Sequence, residues 1–478
     1  MTPHTVVTPA NRPAGVTATP EPTQKAGAAR TRLLLAGPIV STLLRLAAPN
    51  VVVNVVLIAV TASVDAHFVG RLGPSALAGL SLVFPLLMLM QQMANSSMGG
   101  AIASAVARSI GSGRRDDASA LVVHGLLIAG GMATLFTALL LIGGPSIYAL
   151  MGGRGEVLAA AVEYSNAIFG GALVYWLLST LTSVVRGTGQ PTVLATVYVT
   201  AELLHVLLVP ALVFGFGPIP PLGITGAGVA TVASFGLSSG LLLWYVASGR
   251  TPLTLSLRTV RLERRLFTEI LRVGAPMSFQ PILNNLALAT LTAFVGTLGP
   301  TALAGFGTAV RLEYIQYPLT FGLGAAVIAM VGTNIGAGQS GRATRIAWTA
   351  AALAVGITGA IGALAFAWPA GWTRFFTGNP GVHLAAASYL CIAAPAYPFL
   401  GMGLTMASSF QAAGRPIWPL LATAGRVVVV AGGGWITVHT IGGDLSRLGF
   451  VAAAGLVVYG GTLAIAFGAG AWRKRIRA

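Results

Sequence analysis

The sequence is poor in what a water-facing surface needs. Of 478 residues only 8% are charged, against roughly a quarter in an ordinary soluble domain. A soluble globular fold is excluded, because so few charges cannot cover its surface. Acids are scarcer still, with 11 Asp and Glu against 28 Lys and Arg. There is one cysteine, Cys391, so no intrachain disulfide forms, and no Cys/His cluster has metal-ligand spacing. Cys391 sits in an apolar run and reads as a small buried residue. Residues Gly236 to Gly240 match the G-x-S-x-G nucleophile pattern, but inside an apolar stretch and not at a strand-to-helix turn. No metal set, acid pair or activated nucleophile stands out, so no enzyme activity, metal or cofactor is expected.

What is abundant is apolar sequence, 55% of the chain. About 20 apolar residues cross the ~30 Å hydrocarbon core as a helix, and runs such as Ala118–Gly143 and Ala343–Pro369 exceed that length. The pattern predicts an all-α polytopic membrane protein with twelve spans. Six lie near 42–68, 76–103, 118–143, 157–185, 192–216 and 227–247. Six more lie near 276–298, 302–331, 343–368, 382–410, 417–438 and 448–469. The net charge of +17 would suggest nucleic acid in a soluble protein, but here it sets topology. Arginines cluster after even-numbered spans, as at Arg108, Arg114 and Arg115, Arg186, Arg250, Arg342 and Arg415. Loops after odd-numbered spans carry single arginines, such as Arg71 and Arg447. The positive-inside rule then puts both termini in the cytoplasm.

The expected organisation is a disordered cytoplasmic tail over 1–37, a first lobe over 38–248, a linker over 249–273, a second lobe over 274–470 and a basic tail over 471–478. Residues 1–37 are rich in Thr, Pro and Ala, unlike a signal peptide. Within the linker, residues 255–272 space apolar positions between arginines and read as an amphipathic helix on the membrane surface.

The halves repeat each other. Ten of thirteen residues agree between FVGRLGPSALAGL at Phe68 and FVGTLGPTALAGF at Phe294, an offset of 226. LRLAAP at Leu44 matches LRVGAP at Leu271, offset 227. IGSG at Ile110 matches IGAG at Ile335, and RGTGQP at Arg186 matches QAAGRP at Gln411, both offset 225. Because six is even, the lobes are parallel repeats about an axis along the membrane normal, an arrangement transporters use to alternate access around a central site. A channel can be built the same way. Leu-Gly-Pro at 72–74 and 298–300 breaks the chain, and Ser75 or Thr301 is then placed to help start the next helix.

A carboxylate at bilayer depth costs about 2.5–3.5 kcal/mol on insertion scales, so the few intramembrane acids are candidates for function. Asp65 lies in the outer part of span 1. Glu202 lies near the middle of span 5, with His205 on the same face at i+3. Asp65 fits a hydrogen-bonded helix-end carboxylate or a proton or cation site. Glu202 and His205 fit a titrating pair or a static one. Glu313 in span 8 has Arg311 nearby, but two residues apart they do not face each other. With Asn284 they suggest a second-lobe polar site, either an ion pair bracing that lobe or a functional group. Met88, Gln91, Gln92 and Asn95 in span 2, with Gln280 and Tyr317, suggest an adaptable substrate cavity.

VDAHFVGRLGPSALAGL, RGTGQP and the echo QAAGRP resemble the multidrug and toxic compound extrusion (MATE) family, of the prokaryotic DinF-like type. The resemblance runs from about Leu44 to Ala469. It implies V-shaped six-helix lobes in the plasma membrane, exporting small organic, often cationic, compounds by antiport. It assigns ion coupling to Asp65. Where many members carry Asn-x-x-x-Asp in span 5, this chain has His205 and Val209, and a span-7 Glu of another subgroup is replaced by Asn284. These departures favour proton over sodium coupling. A lipid-linked saccharide flippase of the same superfamily is the alternative, disfavoured by the count of twelve spans. Partners beyond substrate and bilayer are not expected, and the chain reads as a monomer.

Overall fold

The computed structural model describes residues 22–251, 253, 261–376, 378–440 and 442–473, with the backbone alone for 22–26, 55–60 and 62. The described residues are almost wholly helical. A helix α1 (Pro22–Ala36) precedes the first lobe. That lobe contains α2 (Ile39–Gly70), α3 (Pro74–Gln92), a π-turn (Met93–Met98) and α4 (Gly99–Gly111). It continues with α5 (Arg115–Leu150), α6 (Gly155–Gly170), α7 (Ala172–Gly187), α8 (Pro191–Phe214) and α9 (Gly223–Ala247). The second lobe holds α10 (Arg264–Gly296), α11 (Pro300–Gly336), α12 (Ser340–Ala367) and a short α13 (Pro369–Thr373). It ends with α14 (Pro380–Ala393), α15 (Tyr397–Ala412), α16 (Ile417–His439) and α17 (Leu445–Gly468).

Joining α3 to α4, α6 to α7 and α14 to α15 gives twelve rods, in the expected order. Among the described residues nine helices are long and apolar enough to cross a membrane, or ten if α6 and α7, bent by 47° at Gly171, count as one. The remaining two rods are α2 and α10, of 32 and 33 residues. At 1.5 Å per residue each is about 48–50 Å long, ample for the hydrocarbon core.

Three expectations change. Residues 1–21 lie outside the described part, but the tail read as disordered to residue 37 contains α1, whose Leu34 is 2% exposed. The linker helix read over 255–272 falls partly on 254–260, outside the described residues. Its remainder, from Arg264, is the start of α10 itself, with Leu266 and Ile270 fully buried. Ser75 does not cap α3. Gly73 and Gly299 (φ 117° and 101°) precede Pro74 and Pro300 at the first helical turn, and the Ser75 hydroxyl donates to Glu156 (3.0 Å). Proline fits there because its missing N–H would have no partner anyway.

Arginine-rich turns gather at one end of the rods. Each repeat anchor at that end closes a helix on a left-handed glycine: Gly113, Gly189, Gly338 and Gly414, all with φ of 71–75°. In all four the N–H after the glycine bonds five residues back, as Arg114 to Ser109 (2.9 Å) and Gln339 to Asn334 (2.8 Å), the signature of a Schellman cap.

The lobes meet at this arginine end through contacts that obey the sequence repeat. A Cβ on Gly111 would run into the Thr333 carbonyl, and one on Gly336 into the Arg108 carbonyl. With an offset of 225, Gly111 corresponds to Gly336 and Arg108 to Thr333, so the two contacts are one contact seen twice. Ala107 faces Gly332, its own counterpart. That reciprocity is the mark of a two-fold interface. Ser97 donates to the Met277 carbonyl (2.9 Å), and Arg108 bridges to Glu269 (3.1 Å) and the Ala412 carbonyl (2.9 Å). The named contacts between lobes lie within 47–51, 96–111, 269–277, 322–336 and 411–414, and Arg186 of the first lobe stacks over Phe321 of the second.

Candidate functional site

Two polar clusters are buried in the lobes, and they differ in kind. In the first lobe, α8 packs between α2 and α9 and turns Glu202 and His205, one turn apart, toward α2. His205 is 1% exposed, Asp65 6% and Glu202 7%. The His205 Nε2 lies 3.1 Å from Asp65 Oδ1. The Thr61 hydroxyl, one turn before Asp65 on α2, donates to both Glu202 oxygens at 3.0 and 3.1 Å. Thr61, Glu202 and His205 line a cleft with Tyr198, Ser234 and Ser238 that has room for about one water molecule. The three expected coupling residues are therefore brought together. Two carboxylates and an imidazole in one buried cluster can change net charge from −2 to +1 as protons arrive, and the His205–Asp65 bond offers a short proton path. The burial of groups so costly to desolvate is bearable because each is hydrogen-bonded.

The second-lobe cluster departs from the expected one. Glu313 does not pair with Arg311. Its Oε1 accepts from Arg426 Nη2 at 2.9 Å, with both side chains close to nine-tenths buried. Arg311 points elsewhere, its guanidinium 5.1 Å over the Phe376 ring. Positions two apart on a helix diverge by about 200°, so Arg311 and Glu313 face different neighbours. Tyr317 lies beside Arg426, close enough to interact with its charge. Gln280 reaches Thr423 and Tyr459 at 3.3 and 3.4 Å, so it turns into the second lobe. Asn284 is half-buried one turn further along α10.

The expected methionine-lined wall is only partly a wall. Met88 and Gln91 are half-buried and Gln92 is exposed, but Met90 and Met98 are core, with Met98 against Gly274 of the other lobe. Asn95 is held inside the first lobe by Tyr175 (2.5 Å) and Ser179 (2.9 Å). The sequence reading missed Thr61, Tyr198, Ser234 and Arg426. The hydroxyls carry no signal on an apolar helix. Arg426 did carry one, as the lone charge in span 11, but a search confined to acids passes over it.

A family model described as MatE matches the chain twice, over residues 51–211 and 276–436, two segments of equal length displaced by 225. The chain belongs to the MATE family. Members are transporters, and this one is a multi-pass membrane protein whose relatives include multidrug efflux proteins. It is 27% identical to a FAD transporter of Shewanella oneidensis, over 83% of this chain and 87% of that one. It is 24% identical to a probable multidrug resistance protein NorM of Thermotoga maritima, over 75% and 77%. It is 27% identical to the multidrug export protein MepA of Staphylococcus saprophyticus, over 56% and 58%. Among solved structures, an outward-facing multidrug resistance MATE transporter superposes with a TM-score of 0.84 over 92% of this chain and 98% of that one, at 24% identity. A transporter of the wider superfamily from Pyrococcus furiosus gives 0.83 over 93% and 98%, also at 24%. These likenesses establish the twelve-helix MATE fold.

Proposed function

We propose that this MATE protein exports organic, often cationic, compounds in exchange for protons, with Asp65, His205 and Glu202 as the coupling group. The observation that carries the reading is the His205–Asp65 bond beside Glu202, buried in one lobe only. At the repeat offset Asp65 corresponds to Leu291, and Glu202 and His205 to Val427 and Val430. The scaffold is thus built elsewhere in the chain without these charges, so stability does not require them.

The arginine end is taken as cytoplasmic, and the lobes joined there leave the cleft open outward. In that state a proton entering from outside neutralises Asp65 or charges His205. Either event removes attraction for a cationic substrate and favours its release. The lobes then rock about the two-fold contact, and the proton leaves inward as a new substrate binds. The membrane potential supplies about 2.3 kcal/mol per charge per 100 mV. No cofactor is needed, and the protein works in the plasma membrane as a single chain.

The test is exchange in sealed vesicles with a panel of cationic dyes, under separate proton and sodium gradients. Dye uptake should follow the proton gradient and collapse at least about tenfold in Asp65→Asn. Undiminished exchange in that variant removes Asp65 from the mechanism, and uptake that follows sodium alone removes the proton. Because the Shewanella oneidensis relative is named for FAD, the dinucleotide belongs in the same panel.

A further inference from the structure

The second lobe carries an arginine that the export of simple cations does not need. Arg426 lies on α16, 9% exposed, and gives one hydrogen bond to Glu313. Its Nε–H is buried with no hydrogen-bond partner among the described residues. A guanidinium has five N–H donors in a planar fork suited to carboxylates, and an orphaned one is costly. Gly455 lets the helix α17 approach the arginine stem, since a Cβ there would sit 3.3 Å from Arg426 Cγ. One turn on, α17 presents the Tyr459 hydroxyl, with Gln280 in reach, and α11 presents Tyr317.

If the ion pair served only to brace the lobe, the fold would need it. The repeat supplies the control. At the corresponding places the first lobe has Leu87 and Ala201, both buried and apolar, and it builds the same helices. A buried ion pair is rarely more stabilising than apolar residues of similar volume. Its presence in one lobe, incompletely satisfied, is the signature of a ligand site.

We propose that Arg426, aided by the hydroxyls of Tyr317 and Tyr459, is a carboxylate-binding subsite, so that the preferred substrates are dipolar molecules bearing a carboxylate as well as a positive charge. This deepens the export reading above by naming the substrate class. Glu313 is the resident anion that the ligand joins, which favours a single-charged carboxylate over a doubly charged phosphate around one guanidinium. Cationic and anionic ends of the substrate would then be read by different lobes, and rocking of the lobes would change both contacts together.

The experiment uses the full chain in lipid nanodiscs and two dyes with one chromophore: rhodamine 110, with a free carboxylate, and rhodamine 123, its methyl ester. Fluorescence anisotropy gives the two dissociation constants. The wild type should prefer the acid by about tenfold, the worth of one charged hydrogen-bonded contact. Arg426→Gln should erase that preference and leave the ester affinity in place. Glu313→Gln should enlarge it, by removing the competing anion. If Arg426→Gln fails to fold, Tyr317→Phe carries the test, since loss of one hydroxyl must shrink the acid preference. A wild type that does not distinguish the dyes overturns the proposal, as does an acid preference that survives Arg426→Gln or Tyr317→Phe. Proton-driven export of the ester in the same preparation reads the antiport proposal separately, so either idea can fail alone.

Discussion

Substituting Gly336 by alanine tests the two-fold contact at the arginine end. A Cβ built there meets the Arg108 carbonyl group, with its carbon at 2.9 Å and Cα at 3.0 Å. Comfortable carbon–carbon separation is about 3.5–4.0 Å and the carbonyl oxygen is nearer still, so the backbones of α4 and α11 must part by about an ångström or more. Neither atom is the end of a movable side chain. Forcing such overlaps costs about 1–3 kcal/mol, and only in the state where the lobes touch here. The equilibrium between closed and open at this end should therefore move roughly 5- to 150-fold toward open. Gly111→Ala places the same clash on Thr333 and should act equally, because the repeat makes the two contacts equivalent. Gly341→Ala, with nothing within 4 Å, should leave the equilibrium alone and gain about 0.5–1 kcal/mol of helix stability. Spin labels at Ser112 and Ser340, exposed at this end of different lobes, in a Cys391→Ala background report the separation. An unchanged distance distribution in Gly336→Ala, or an equal change in Gly341→Ala, would refute the reasoning.

Other consequences are open to direct measurement. His205→Gln keeps a donor for Asp65 but cannot take a proton, so exchange should persist at a lower rate with a flattened pH profile in vesicle assays. Gln411 donates to the Ser96 and Ser97 carbonyls at 2.9 and 3.0 Å. Gln411→Leu leaves buried acceptors unpaired, so the thermal midpoint should fall in step with a loss of about 1–3 kcal/mol. Arg265 binds Asp117 at 2.8 and 3.1 Å, but half-exposed. Arg265→Ala should cost at most about 1 kcal/mol, a difference that added salt erases. Deleting residues 1–36 removes Leu34, whose carbonyl accepts from Asn334 (3.0 Å) and whose side chain lies near Gly189 of the first lobe. Because Asn334 belongs to the second lobe, that deletion should loosen the arginine end in the same spin-label experiment.

The architecture was legible because hydrophobic runs and arginine clusters are global features, robust to local error. The π-turn at Met93–Met98 was legible only in hindsight, though its trace is in the numbers. Pro74 and Pro300 differ by 226, while Gly111 and Gly336 differ by 225. One extra residue therefore enters the first lobe between those anchors, and a π-turn is how a helix absorbs a single insertion. It sits where Ser96 and Ser97 offer their carbonyls to Gln411. The acids of the first lobe were legible because an intramembrane carboxylate is rare enough to weigh individually. The partner of Glu313 was not, because Arg426 is 113 residues away and only tertiary packing brings them together. Proximity in sequence pointed instead to Arg311, which helical geometry turns to another face.

The repeat turns these separate facts into one argument. A duplicated six-helix scaffold starts with equal lobes, so a charge retained in one copy and absent from the other cannot be owed to the common fold. Asp65, Glu202 and His205 face Leu291, Val427 and Val430 in that comparison, while Glu313 and Arg426 face Leu87 and Ala201. None of these five titratable or charged positions is charged in both lobes, although flanking hydroxyls do repeat, Tyr198 facing Thr423 and Ser234 facing Tyr459. The first lobe can vary its net charge with protons, whereas the second holds a permanent guanidinium that does not titrate. On the proposed antiport reading, a substrate held between these unlike lobes feels a change in affinity each time a proton reaches the Asp65–His205 cluster. That asymmetry is what coupling requires, and two identical lobes would lack it.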